Sequence, residues 1–91
     1  MASVSVSLAD VEHAERMCMG AIGALNDAAK KLDDRYNAAG QSWRDNKYKQ
    51  LGDVVNDCTN AMRSPIDELF ECVQKLREIE KRLAEYESIN I

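Results

Sequence analysis

This sequence predicts an all-α chain folded as an antiparallel helical hairpin, and three features carry the prediction. Apolar residues step by three and four along two long stretches. One glycine-bearing break near position 40 separates those stretches. Turn formers and aromatic residues are otherwise scarce, with four Gly, one Pro and 5% aromatic content, which disfavours a many-stranded sheet. With 45% apolar and 31% charged residues over 91 positions, the chain suits one small folded domain, 1–91.

The first helix is expected over about 8–39. Its stripe reads Val4, Leu8, Val11, Cys18, Ile22, Leu25, Ala29, Leu32, Tyr36 and Ala39, with Glu15 the one position out of character. Ser7 followed three residues later by Asp10 marks an N-cap with an acid in the first turn. Gly40 follows the last apolar residue and is expected to end the helix in the left-handed conformation. The bend is then 40–42. Ser42 is expected to cap a second helix over about 43–88, with Trp43 first and Asp45 third, as in a capping box.

The second stripe reads Tyr48, Leu51, Val55, Cys58, Met62, Ile66, Leu69, Val73, Leu76, Ile79, Leu83 and Tyr86. Ser64-Pro65 interrupts it. A fresh third helix could start there, giving a three-helix bundle. Met62-Arg63-Ser64-Pro65 offers no Gly, Asn or Asp for a reversal, however, so the reading is one long helix kinked near Pro65, its stripe shifted by a residue. A bend this short makes the two helices antiparallel neighbours.

A turn centred near Gln41 places residue i of the first helix opposite roughly residue 82 minus i of the second. Cys18 then faces the Ser64 region and Cys58 faces Ala24, too far apart for an intrachain disulfide. All three cysteines, Cys18, Cys58 and Cys72, are expected in the packed stripe as small hydrophobes. Ile79, Leu83 and Tyr86 are left overhanging, with nothing opposite them. A second apolar face holds Ala14, Met17, Ala21, Ala24 and Ala28, with Ala61 and Phe70. Two helices alone bury little, so a partner interface through Ile79, Leu83, Tyr86, Phe70, Met17, Ala21 and Ala24 is expected, pairing two hairpins into a four-helix bundle dimer.

Composition narrows the function classes. Twelve basic against sixteen acidic residues, a net charge of −4, argue against nucleic acid or an acidic membrane surface as partner. The amino terminus has neither the basic nor the apolar region of a cleaved signal peptide, and no run approaches the ~20 apolar residues of a spanning helix. His13 stands alone, so neither a zinc cluster nor the Glu-x-x-His motifs of a di-metal bundle is available. Asp33/Asp34 and Asp53/Asp57 read as solvated helix faces. No catalytic residue, cofactor or metal is expected.

Trp43, the only Trp, stands at the bend, where a large ring plugging the open end of the hairpin explains it structurally. Helix, short turn and helix in a chain of this length, with Trp at the bend, also resembles the WXG-like (ESAT-like) small proteins of bacterial type VII secretion. Trp43-Arg44-Asp45 is similar to the variant that carries Trp-x-Asp, with the aromatic Tyr48 following. The family's export signal is a Tyr with an acid four residues later; here Tyr86 is followed at that distance by Asn90. The resemblance implies pairing with itself or a sibling hairpin, the bend of one near Tyr86 of the other. It also implies export from a bacterial cytoplasm without a cleaved signal peptide. The chain would be a secretion substrate read by the secretion ATPase, or a small partner escorting a larger substrate. The competing expectation is a cytoplasmic helical scaffold or adaptor that oligomerises through its apolar stripe.

Overall fold

The computed structural model describes residues 7–89, with side chains through 87. It holds three helical segments, α1 (Leu8–Ala39), α2 (Asn46–Arg63) and α3 (Ile66–Ile89). α1 packs along both others. The long axis measures 69 Å, close to the ~66 Å that a continuous helix from 46 to 89 would span at ~1.5 Å per residue. The chain therefore does not reverse at Ser64-Pro65, and α2 and α3 form one arm of an elongated hairpin.

α1 begins with a full capping box. The Asp10 backbone N–H donates to the Ser7 hydroxyl at 3.2 Å, and the Ser7 N–H donates to the Asp10 carboxylate at 3.3 Å. Those bonds, first the Ser7 side chain, hold the Asp10 carboxyl below its usual range. Two expectations about the bend need correction. Gly40 is not left-handed; its φ of −67° and ψ of −12° are right-handed, and the chain leaves α1 through successive tight turns that end with the Trp43 N–H on the Ala39 carbonyl at 3.0 Å. Nor does Ser42 cap the second helix with Trp43 inside it. Asp45 is the N-cap, accepting from the Tyr48 N–H at 3.1 Å, and α2 starts at Asn46.

The α1 side of the seam follows the periodicity: Leu8, Val11, Glu15, Cys18, Ile22, Leu25, Ala29, Leu32, Tyr36 and Ala39 are all buried or half-buried, while Val4 lies outside the described residues. On the other arm the seam runs Tyr48, Gly52, Val55, Thr59, Met62, Ile66, Leu69, Val73, Leu76, Glu80 and Leu83. Its steps of four and three pass Pro65 unbroken, so the proline does not shift the stripe. Leu51, Cys58, Ile79 and Tyr86 are not in the seam; they are exposed, and Gly52, Thr59 and Glu80 hold the positions beside the first three. The correction reaches the cysteines. All three are free, but only Cys18 is half-buried, while Cys58 and Cys72 are exposed.

The register differs too. Ile22 clusters with Ile66 and Val73, with Cys18, Leu25 and Leu69 packed around them. Arg77 reaches Glu15. These contacts place α1 about eight residues further along the second arm than a 40–42 bend would, roughly 12 Å at ~1.5 Å per residue. The longer turn, 40–45, accounts for part of the displacement. The overhang is correspondingly smaller: Leu83 is half-buried, and Glu80 lies beside Glu15 and Glu12.

Four glycines test this packing. A Cβ at Gly20 or Gly23 meets nothing within 4 Å, whereas one at Gly40 collides with the Tyr48 hydroxyl and one at Gly52 with the Tyr36 hydroxyl. Gly20→Ala and Gly23→Ala should each stabilise the chain by up to ~1 kcal/mol through helix propensity. Gly40→Ala and Gly52→Ala should each cost about 1–3 kcal/mol by overpacking. Urea unfolding of the four variants checks the opposite signs.

Candidate surface at the bend and along the hairpin edges

Two tyrosines close the bend. Tyr36 lies one turn before the end of α1 and Tyr48 in the first turn of α2, their rings stacked with centroids 4.3 Å apart and planes 4° from parallel. The Tyr36 hydroxyl donates to the Tyr48 carbonyl at 3.1 Å, and the Tyr48 hydroxyl donates to the Tyr36 carbonyl at 2.8 Å. Each ring lies over the glycine four residues beyond the other tyrosine, Gly52 under Tyr36 and Gly40 under Tyr48. Burial, and then the neighbouring Tyr48 hydroxyl, raises the Tyr36 phenol above its ordinary value. The sequence signal for this clasp is Tyr-x-x-x-Gly occurring twice, 36–40 and 48–52.

Trp43 is only partly covered at the bend. Its ring leans on Tyr48 at 6.0 Å and 51°, and it remains 39% exposed. Its indole, and then the Tyr48 N–H, hold the Asp45 carboxyl below the usual carboxylate range. Trp43, Arg44 and Asp45 therefore form one exposed turn, with Trp43 and Asp45 both engaged in building it.

The residues flanking the seam separate by edge. Asp33 and Arg63, each following a seam residue, meet at 3.4 Å, and Arg77, in the same phase as Arg63, donates to Glu15 at 2.8 Å. Phe70 is 42% exposed and falls midway between Arg63 and Arg77, on this charged edge rather than with Ala61 and Met17. The residues that precede a seam position lie on the opposite edge. There α1 presents Ala14, Ala21 and Ala28, bordered by Met17 and Ala24, with Lys31 and Arg35 nearer the bend, and the other arm presents Leu51, Cys58, Pro65, Cys72, Ile79 and Tyr86, with Glu68, Lys75 and Arg82 beside them. Met17 and Tyr86 are each 64% exposed, and Ala21, Ala24 and Ile79 are also exposed. Asn90, the position of the acid in the export signal, lies outside the described residues.

Two carboxylates meet in the seam near the amino-terminal end of α1. The hydrogen bond from Arg77, and then the neighbouring Glu80, lowers the Glu15 carboxyl, while the neighbouring Glu15 carboxyl, and then burial, raises that of Glu80. They line an open surface hollow of about 290 Å³ with Arg77, Lys81 and Ala84. Among the described residues no group of three or more His, Cys, Asp or Glu is placed to hold a metal ion, and no helix is long and apolar enough to cross a membrane.

Glu80 binds its proton more tightly in the folded chain than in the unfolded one. Its ionisation therefore opposes folding above its raised pKa, and that penalty is relieved as pH falls through it. Glu80→Gln keeps a donor for Glu15 without the charge, so it should raise Tm at pH 7. The gain should shrink as pH falls through the raised Glu80 value, where Glu80 itself takes up a proton. Asp10, Asp45 and Glu15 have lowered values, so their contributions are present at neutral pH and fade only at lower pH, through their depressed values. Thermal melts of parent and variant across pH 4–7 check the sign. Comparison with known proteins found no matching family model, no similar curated protein and no similar solved structure.

Proposed function

We propose that this chain acts by protein–protein interaction, as a WXG-like helical hairpin of bacterial type VII secretion. It is either a secreted substrate or the small partner that escorts a larger one. The observation that supports the reading is the row of exposed apolar and small residues along one edge, Met17, Ala21, Ala24, Leu51, Cys58, Cys72, Ile79 and Tyr86, with the Trp43-Arg44-Asp45 turn exposed at one end. An exposed apolar strip of this length on so thin a molecule suits another hairpin as its partner. In this reading the chain is made in the bacterial cytoplasm, pairs there with itself or a sibling hairpin, and leaves through the secretion ATPase. Tyr86, exposed near the end of α3, is the residue available to an export signal.

One observation favours the alternative, a cytoplasmic scaffold or adaptor. Trp43 and Asp45 both have duties inside the turn, the ring against Tyr48 and the carboxylate as N-cap, so neither requires an outside reader.

The test uses Trp43→Phe with Asp45→Asn, which keeps an aromatic ring at the turn and a capping side chain at the helix start. The double variant should retain the parent's helicity by circular dichroism and its pairing by light scattering. In the native host, the parent should reach the culture fluid only with an active type VII ATPase, and the variant should be exported several-fold less. A variant exported like the parent, or a parent retained without regard to the ATPase, would favour the scaffold.

A further inference from the structure

The charges of this chain are divided along its length. Positions 30–49 carry six basic residues, Lys30, Lys31, Arg35, Arg44, Lys47 and Lys49, against three acids, Asp33, Asp34 and Asp45. The rest of the chain carries six basic residues against thirteen acids. The bend is therefore the net-positive end of a long, otherwise acidic rod. All six of its cations are exposed. Its acids are engaged or turned away: Asp33 pairs with Arg63, Asp45 caps α2, and Asp34 stands on the back of α1, two residues from either seam neighbour. Among the described residues no ion pair holds any of the six cations.

Three of them gather on one edge. Lys31 and Arg35 precede the seam residues Leu32 and Tyr36, and Lys47 precedes Tyr48. Tyr36 stacks on Tyr48, so Arg35 and Lys47 share a level. Lys31 is one turn away, ~6 Å at ~1.5 Å per residue, and packed helix axes lie ~8–10 Å apart. The fold gains nothing from this grouping. Lys31 and Arg35 are like charges four apart on one helix, an unfavourable pair. Lys47 lies in the first turn of α2, which has no acid, at the positive end of the helix dipole where a cation is disfavoured. Both α1 and α3, by contrast, carry acids in their first turns. Beside the cations, Leu51 and Val54 also precede seam residues and are 37% and 57% exposed.

We propose that this face of the bend, Lys31, Arg35 and Lys47 with Leu51 and Val54, binds an acidic segment of a partner protein in which apolar residues are interspersed among the carboxylates. The cations hold the carboxylates, and Leu51 and Val54 receive the apolar side chains. Charge also sets the size of the ligand. The patch is little wider than the ~8 Å Debye length of physiological salt, so the acidic arms do not cancel it at short range. An extended polyanion, a duplex or a membrane surface, would bring those acid-rich arms near its own charge. A short acidic segment meets the bend alone. The site stands whether the chain is a secretion substrate or a scaffold.

Trp43 leans on Tyr48, the residue after Lys47, so the emission of this single tryptophan reports occupancy. The probe is a synthetic peptide of aspartate and glutamate with interspersed leucines, titrated into the intact chain. Trp43 emission should change saturably, and the affinity should weaken with added salt. Lys31→Gln, Arg35→Gln and Lys47→Gln together should lower the affinity about tenfold or more. That variant should melt at or above the parent's temperature, because it relieves two unfavourable charge placements. Arg16→Gln, Lys75→Gln and Arg82→Gln together remove the same charge elsewhere and should bind like the parent. A peptide with asparagine and glutamine in place of its acids should not bind. A bend variant that binds the acidic peptide like the parent, or a distant variant that loses as much affinity, overturns the proposal. So does a bend variant that melts lower than the parent, which makes the cations structural. Tighter binding of a DNA duplex or of phosphatidylserine vesicles than of the peptide also overturns it, and assigns the patch to those polyanions.

Discussion

The Tyr36–Tyr48 clasp fixes the relation between the two arms, and the rest of the hairpin depends on it. Each phenol donates to the other's backbone carbonyl, so the clasp joins main chain to main chain across the bend through two stiff rings. A slip of one residue would turn either ring by about 100° around its helix and break both bonds. Gly40 and Gly52 admit the rings at the point of closest approach, where a methyl group has no room. The loop between the tyrosines is short, so little chain entropy is lost in closing it. Once closed, it sets the phase in which Ile22 meets Ile66 and Arg77 meets Glu15, tens of ångströms away.

From that register the asymmetry of the molecule follows. In an antiparallel pair, residues of like phase share an edge, so Asp33 and Arg63 face one another while Ala21 and Cys58 share the other side. Arg63 is exposed and its pair with Asp33 is open to screening, so that bridge adds little stability. An edge whose charges already satisfy one another has less to offer an apolar partner.

The sequence makes α1 readable because its seam is apolar at every position but Glu15, and its start is a complete Ser7–Asp10 capping box. The second arm is harder for a physical reason. Three of its seam positions are Gly52, Thr59 and Glu80, each preceded by a more hydrophobic residue, Leu51, Cys58 and Ile79. Choosing the greasier neighbour moves the stripe by one residue, onto the edge. Tertiary fit rewards the other choice: Gly52 makes room for a ring, Thr59 satisfies its hydroxyl on the Asn56 carbonyl at 3.0 Å, and Glu80 lies beside Glu15. The bend fails in the same way. Gly40 looks like a left-handed cap, yet it is required by a ring arriving from the next helix. Ser42 looks like an N-cap, yet Asp45 takes that place with help from Trp43. The Trp43-Arg44-Asp45 turn is visible in the sequence as a motif, but its structural employment is visible only in three dimensions.

The misread stripe and the exposed edge are one feature seen at two levels. A sequence that places its larger apolar residues one position outside the seam spends hydrophobicity where the single hairpin gains nothing from it. Among the described residues only Val11, Ile22, Ala29, Val55, Ile66 and Val73 form the buried hydrophobic core, and the accessible surface is 7251 Å². A compact monomer of 10.2 kDa would expose about 5,300 Å² by the usual scaling of area with mass. The excess is the consequence of being one helix thick, since each seam residue has neighbours on one side alone. Leu51, Cys58, Cys72 and Ile79 are therefore left with exposure that a seam position would remove. The clasp at the bend thus determines which residues face outward, and the residues it turns outward determine where the chain can bind.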